Sequence, residues 1–234
     1  MSDIHLHKNT RREFRQRIES GEIKACIIPV GAIEQHLEHL EMEHDWRSAT
    51  EIAEAAATRL APNVIIASGV MVGISEHHMR HKGSLSLRPS TFLSVLEDLI
   101  DSVLRTGIEN ILVLNAHGGN VEPCRAVWDQ MLRQFPCNLQ FLPYWELLNS
   151  DDRELLVTKD IPGHAQEFET AIAAFRFPQN IRSDAMNDQS DSTPIHATAD
   201  NGEILFGRIV DRVESRLRDM IEGKSRIEHP GYFP

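Results

Sequence analysis

The chain opens its pattern with an apolar run, Ala25 to Val30, that ends at Gly31 in a stretch crowded with acids and histidines. Cys26, Ile27, Ile28 and Val30 supply β-favouring bulk. A run apolar at successive positions predicts a strand buried on both faces, as in a parallel sheet. Before it, residues 10–20 predict a short amphipathic helix ended by Gly21. After it, Trp46–Leu60 reads as a helix with Ile52, Ala53, Ala56 and Leu60 on one face, stopped by Pro62. Asn63–Ala67 predicts a second short strand, and Val70–Val72 a further extended piece. Pro89 opens the next helix. Phe92, Leu93, Leu96, Leu99, Ile100 and Val103 give it a wide apolar stripe, and Gly107 ends it. Ile111–Leu114 predicts a strand, residues 122–134 a helix and Leu139–Leu142 another strand. A helix opens within Pro162–Thr170, and Gly202–Met220 is the last. Between them, residues 178–202 form a long polar connection, read as a lid or a subunit contact. Alternating strands and helices predict a mainly parallel sheet with helices on both faces.

Composition narrows the function. A hydrophobic fraction of 41% is enough for a core, and no window has the apolar length of a membrane span. The first residues are polar and carry no signal-peptide run. A formal charge of −11 argues against nucleic acid as a partner, since phosphate binding wants a basic surface. Cys26, Cys124 and Cys137 are odd in number and lack metal-ligand spacing, which predicts reduced cysteines in a cytoplasmic protein.

The chemistry gathers at the strand ends, where open α/β sheets form their sites. Glu34 and His36 follow the first strand and are two apart, so an extended backbone points both to one side. Asp45 returns to the same region after a short excursion. Glu, His and Asp are the ligands of a divalent ion such as zinc, manganese or iron. His117 follows the third predicted strand, and Gly118 and Gly119 leave room for a close approach. His164 and Glu167 are three apart and would share a helix face. Glu169 falls on another side as a supporting carboxylate. The plainer reading of Glu167 is an acidic first turn favoured by the helix dipole. His77 and His78 lie on a Gly- and His-rich loop and Trp145 follows the last strand, which makes them candidates to touch substrate.

Five segments occur in order: Pro-Val-Gly-Ala-Ile-Glu-Gln-His (29–36), His-Leu-Glu-Met-Glu-His-Asp (39–45), Gly-Ser-Leu-Ser-Leu (83–87), Asn-Ala-His-Gly-Gly-Asn (115–120) and Gly-His-Ala-Gln-Glu-Phe-Glu-Thr (163–170). Together they resemble the creatininase (creatinine amidohydrolase) family, from about residue 8 to residue 220. The resemblance implies one domain over 1–234, a three-layer α/β/α sandwich with a mainly parallel central sheet, and hydrolysis of a non-peptide C–N bond. It implies two divalent metals, zinc first, with manganese or iron as alternatives. Asp45 would bridge them, Glu34 and His117 would complete one site, and His36 and Glu167 the other. In creatininase the last carboxylate comes from the position that is Gly119 here, and Glu167 is taken as its replacement. Metal-activated water would attack the amide, with His164 moving a proton to the leaving nitrogen and Glu169 beside it. Gly118, His77, His78 and Trp145 would face the substrate. The family also implies a homo-oligomer, a hexamer built from dimers.

Departures from the family pattern at Leu37, Glu38, His44, His81, Lys82 and Gly118 surround the substrate pocket rather than the metals. The expected substrate is therefore a small cyclic amide or a formamide, not creatinine in particular. The competing readings are a peptide-trimming maturation factor of the same fold and a non-catalytic metal-binding scaffold.

Overall fold

The computed structural model describes residues 3–227. Residues 1–2 and 228–234 of the expected domain lie outside the described residues. Four strands form one parallel sheet: β1 (Ala25–Val30), β2 (Val64–Ile66), β3 (Asn110–Asn115) and β4 (Asn138–Pro143), in the order β2-β1-β3-β4. The helices are α1 (Arg11–Glu19), α2 (His44–Arg59), α3 (Pro89–Leu104), α4 (Val121–Gln134), α5 (Ser150–Arg153), α6 (Glu167–Arg176), α7 (Ser183–Met186) and α8 (Ala199–Ile221).

Strand alternation sorts the core into two clusters, one per sheet face. Ala25, Ile27, Val64, Ile66, Leu112 and Leu114 pack with α2, α6 and α8. Cys26, Ile28, Val30, Ile65, Ile111 and Val113 pack with α3 and α4, and Phe14 and Ile18 of α1 join that side. Every residue of β1 is buried, as a strand covered on both faces requires. The predicted three-layer α/β/α sandwich is therefore present. All three cysteines are buried and unpaired. Among the described residues no helix is long and apolar enough to cross a membrane.

The elements start where local chemistry says. Thr10 and Glu13 form a reciprocal cap on α1, and Pro89 occupies the first turn of α3. Two boundaries differ from the sequence expectation by three residues or more. The last helix begins at Ala199 because Thr198 caps it through the Asn201 amide. Gly202 then lies inside that helix, where a Cβ would come within 1.9 Å of the Ala171 carbonyl, so α8 and α6 meet backbone to backbone. The helix expected to open at Pro162 begins only at Glu167. Gly163 and Ala165 hold φ of 68° and 54°, a left-handed backbone that cannot belong to an α-helix. The 178–202 connection is pinned to the loop after β1: Arg182 N–H donates to the His39 carbonyl at 2.7 Å, and Glu41 N–H to Asn180 at 3.0 Å.

Candidate metal centre

Parallel pairing of β1 with β3 sets Val30 opposite Asn115, so the segments leaving these strands emerge side by side. Glu34 and His36 come from the first, His117 from the second, and Asp45 from the first turn of α2. Asp45 sits between two imidazoles. Its Oδ1 is 3.1 Å from His36 Nε2, and its Oδ2 is 3.0 Å from His117 Nδ1. Glu34 Oε1 lies 3.4 Å from the same His117 nitrogen. Glu169 Oε2 lies 4.0 Å from His36 Nε2 on the far side. Glu34, His36, Asp45, His117 and Glu169 are all buried.

The frame around them is made of amides. Asn120 donates to the Gly31 carbonyl at 3.2 Å and to Asn115 Oδ1 at 3.1 Å, and accepts the Ile74 amide at 3.0 Å. This ties β1, β3 and the histidine loop together. Sequence reasoning did not single out Asn115, Asn120 or Gln35. The signal available was polar residues directly abutting strands and glycines, where a buried amide must find partners.

Glu167 is not at the centre. Its carboxylate turns away from the cluster and accepts the Val157 and Thr158 amides at 2.9 and 2.8 Å. The expected shared face of His164 and Glu167 required helix from residue 164, and the left-handed turn at Ala165 removes it. The structure brings Glu169 to the cluster instead, two residues on. His164 does arrive: its Nδ1 is 3.7 Å from Glu34 Oε1. His78 also arrives, with Nε2 3.6 Å from the same oxygen.

Charge balance bears on what the cluster can hold. Burial, with Asp45 adding repulsion, pushes Glu169 up to about 8. Burial also raises Glu34, with the imidazolium of His117 pulling against it and Asp45 reinforcing it. Asp45 is buried too, yet His36 and His117 outweigh that and hold it well below the usual carboxylate range. Burial drives His164 down to about 3, helped by His36 and His78 and opposed by Asp45 and the Gln35 backbone. Glu34 Oε2 and Asp45 Oδ2 are buried without a hydrogen bond. Buried carboxylate oxygens without donors are costly unless a cation meets them. The donor set of two imidazoles and three carboxylates therefore fits divalent metal.

Above the cluster is a cavity of about 500 Å³, lined among others by His77, His78, Gly118, Trp145 and His164. The two glycines differ. A Cβ at Gly118 would meet nothing within 4 Å, whereas one at Gly119 would come within 2.1 Å of the Ile74 carbonyl and 2.5 Å of His117 Nε2. No side chain fits at Gly119 in this backbone, so a carboxylate has to reach the cluster from elsewhere.

Comparison with known proteins agrees with this layout. The sequence model of the creatininase family (creatinine amidohydrolase) matches residues 7–214. The chain belongs to the creatininase family. Creatinine amidohydrolase of Pseudomonas putida is 23% identical over 201 residues, covering 79% of this chain and 76% of that protein. A mycofactocin precursor peptide peptidase of Mycobacterium ulcerans is 30% identical over 114 residues, covering 46% of this chain. That match spans 45% of the peptidase, under half its length. A 3-dehydro-scyllo-inosose hydrolase of Thermotoga maritima is 24% identical, covering 75% of this chain and 57% of that protein. A crystal structure of creatininase superposes with a TM-score of 0.83 at 20% identity, over 94% of this chain and 99% of that one. Zinc–zinc and manganese forms of creatininase have TM-scores of 0.81 and 0.80 at 19% and 21% identity, covering 94% and 93% of this chain and 98% of each of theirs. At these identities the superpositions establish the fold. This creatininase-family chain is a hydrolase-type scaffold with a buried candidate metal site.

Proposed function

We propose that the chain is a single-domain, two-metal hydrolase that opens the C–N bond of a small cyclic amide or a formamide. The observation that carries this is the convergence of three buried carboxylates and two imidazoles, with Glu34 Oε2 accepting no hydrogen bond and Asp45 Oδ2 facing only His117 Nδ1. Asp45 stands between the two imidazoles and would be the ligand shared by both ions. Glu34 and His117 would hold one ion, and His36 and Glu169 the other, with Glu169 in the role that the family resemblance implied for Glu167. Divalent ions there, zinc first and manganese or iron as alternatives, supply an acidified water and an electrophile for a carbonyl oxygen. His36 and His117 are fixed by the backbone carbonyls of Glu34 and Ile74, at 3.1 and 3.0 Å, so their ligating nitrogens keep their direction. Trp145 and Gly118 wall the cavity, which is of small-molecule size. His164 meets the scissile amide at the mouth of the cluster. The three buried thiols suit a reducing, cytoplasmic setting, and the family suggests a homo-oligomer.

A second reading, trimming of a peptide, is favoured by the 30% identity to the peptidase. It is also favoured by a neighbouring cavity of about 790 Å³ bounded by Leu37, Lys82 and Gln189. Gln35 borders that second cavity and hydrogen-bonds His78 and His164 of the first.

Elemental analysis of protein purified without chelator tests the metal reading. About two ions per chain, falling sharply in Asp45→Ala, is the expected result. Wild type that stays metal-free after zinc, manganese and iron reconstitution overturns it. A screen of lactams, formamides and short peptides then separates the substrates, with formate release marking deformylation.

A further inference from the structure

Four imidazoles turn one nitrogen toward the carboxylates: His36, His117, His78 and His164. What each outer nitrogen touches decides what the inner one carries. His36 Nδ1 faces the Glu34 carbonyl and His117 Nε2 faces the Ile74 carbonyl. A carbonyl only accepts, so both outer nitrogens are N–H, and in the neutral ring that a metal requires both inner nitrogens present lone pairs. These two rings are built as ligands.

The other two rings share a single partner, the side-chain amide of Gln35. Gln35 Nε2 lies 2.9 Å from His78 Nδ1 and 2.8 Å from His164 Nε2. The orientation of that amide is decided at its other end, where Oε1 accepts the Leu37 N–H at 2.9 Å. Flipping it would aim an NH2 at an N–H donor. The Gln35 backbone is itself held, its amide donating to Ser84 Oγ at 3.1 Å. An NH2 group has two hydrogens, and here there is one for each ring. Both outer nitrogens must therefore accept. The protons of His78 and His164 then sit on the inner atoms, Nε2 and Nδ1, 3.6 and 3.7 Å from Glu34 Oε1. An imidazolium has no lone pair to accept from Gln35, so both rings are neutral. Their stacking, 4.4 Å between centroids at 20°, suits neutral rings too.

We propose that Gln35 is a positioning residue that makes His164 and His78 a pair of neutral N–H donors, turned toward Glu34 at the wall of the cavity where a bound carbonyl would lie, not metal ligands and not proton carriers. A neutral ring that surrendered its inner proton would become an imidazolate, so His164 keeps the proton and donates a hydrogen bond. Two such donors beside the cluster stabilise the oxygen that gains charge when an amide carbon is attacked. The substrate class is accordingly one with a carbonyl oxygen free to approach the inner edges of the two stacked rings, as in a lactam or a formamide. This rests on the proposed hydrolase reading for its chemistry but not for its geometry.

Long-range proton–nitrogen correlation on zinc-loaded, 15N-histidine-labelled full-length protein tests it, since protonated and lone-pair ring nitrogens resonate far apart. His164→Gln and His78→Gln spectra supply the assignments. Wild type is expected to carry the proton on His164 Nδ1 and His78 Nε2. In Gln35→Glu the carboxylate demands the opposite tautomer. Both protons should move to the outer nitrogens, and kcat on a substrate found by the screen should fall by about 10²–10³-fold with metal content unchanged. A wild-type spectrum showing outer-nitrogen protons, doubly protonated rings or a metal-shifted His164 nitrogen overturns the proposal, whether or not the variant folds. Metal-free wild type would sink the hydrolase reading alone, because the same spectrum can be read on the metal-free protein.

Discussion

Glu167 and Glu169 stand two residues apart on one helix start, and substituting each by its amide should produce opposite phenotypes. The Glu167 carboxylate is buried and accepts two backbone amides, from Val157 and Thr158, at the first turn of α6. Glu167→Gln keeps one acceptor and turns an NH2 toward the other amide. One charge-assisted bond is lost, about 1.5–3 kcal/mol, together with a helix-terminus charge interaction of about 0.3–1 kcal/mol. The 157–158 amides can reach water if the exposed loop opens, which caps the penalty at about 2–3 kcal/mol. For a chain of this length that is a fall in Tm of about 4–12 °C. Glu169→Gln removes a carboxylate that burial and Asp45 push up to about 8, so it is mostly protonated at pH 7 in metal-free protein. The amide is nearly isosteric, and the metal-free protein should lose less than about 1 kcal/mol. Urea titration of chelator-stripped protein measures the stability, and elemental analysis of the untreated protein measures the metal. Glu167→Gln should be destabilised with full metal, and Glu169→Gln stable with depleted metal. A Glu167 variant that keeps its stability and loses metal would refute the assignment of both residues.

Three further outcomes are expected. Asp152 is fully buried against Arg208 and Arg212 of α8; burial raises its pKa, but the Arg212 and Asn149 bonds and Arg208 outweigh that and hold it at about 2. Because the folded value lies below the unfolded 3.8, its contribution of about 2 kcal/mol is complete above pH 4–5 and lost as pH falls toward 2. Urea midpoints should therefore drop less between pH 7 and pH 3 in Asp152→Asn than in wild type, and an unchanged slope counts against the linkage. Gly202→Ala drives a methyl into the Ala171 carbonyl and should destabilise by about 1–3 kcal/mol or more, measured by the same titration. Gly119→Ala should displace His117 and reduce bound metal, while Gly118→Ala, which meets open space, should leave it intact.

The hydrophobic pattern carried most of the architecture. A strand apolar at every position, such as Ala25–Val30, has no alternative but a doubly covered sheet, and Pro89, Thr10 and Gly107 punctuate helices by local backbone chemistry alone. Glu34, His36, Asp45 and His117 were legible as a cluster for a related reason. Polar residues that follow buried strands directly have little freedom in where they go. The residue pair 167/169 was not legible in that way. Helical spacing favoured Glu167, and only the left-handed turn at Ala165 shows that the helix starts too late for His164 and Glu167 to share a face. The pairing of β1 with β3 was likewise decided by the fold, and with it the meeting of Asp45 with both imidazoles. The role of Gln35 belongs to the same group. An amide in sequence is only a donor and an acceptor. That its two hydrogens fall on two different rings, 43 and 129 residues away, depends on distances that chain order does not contain.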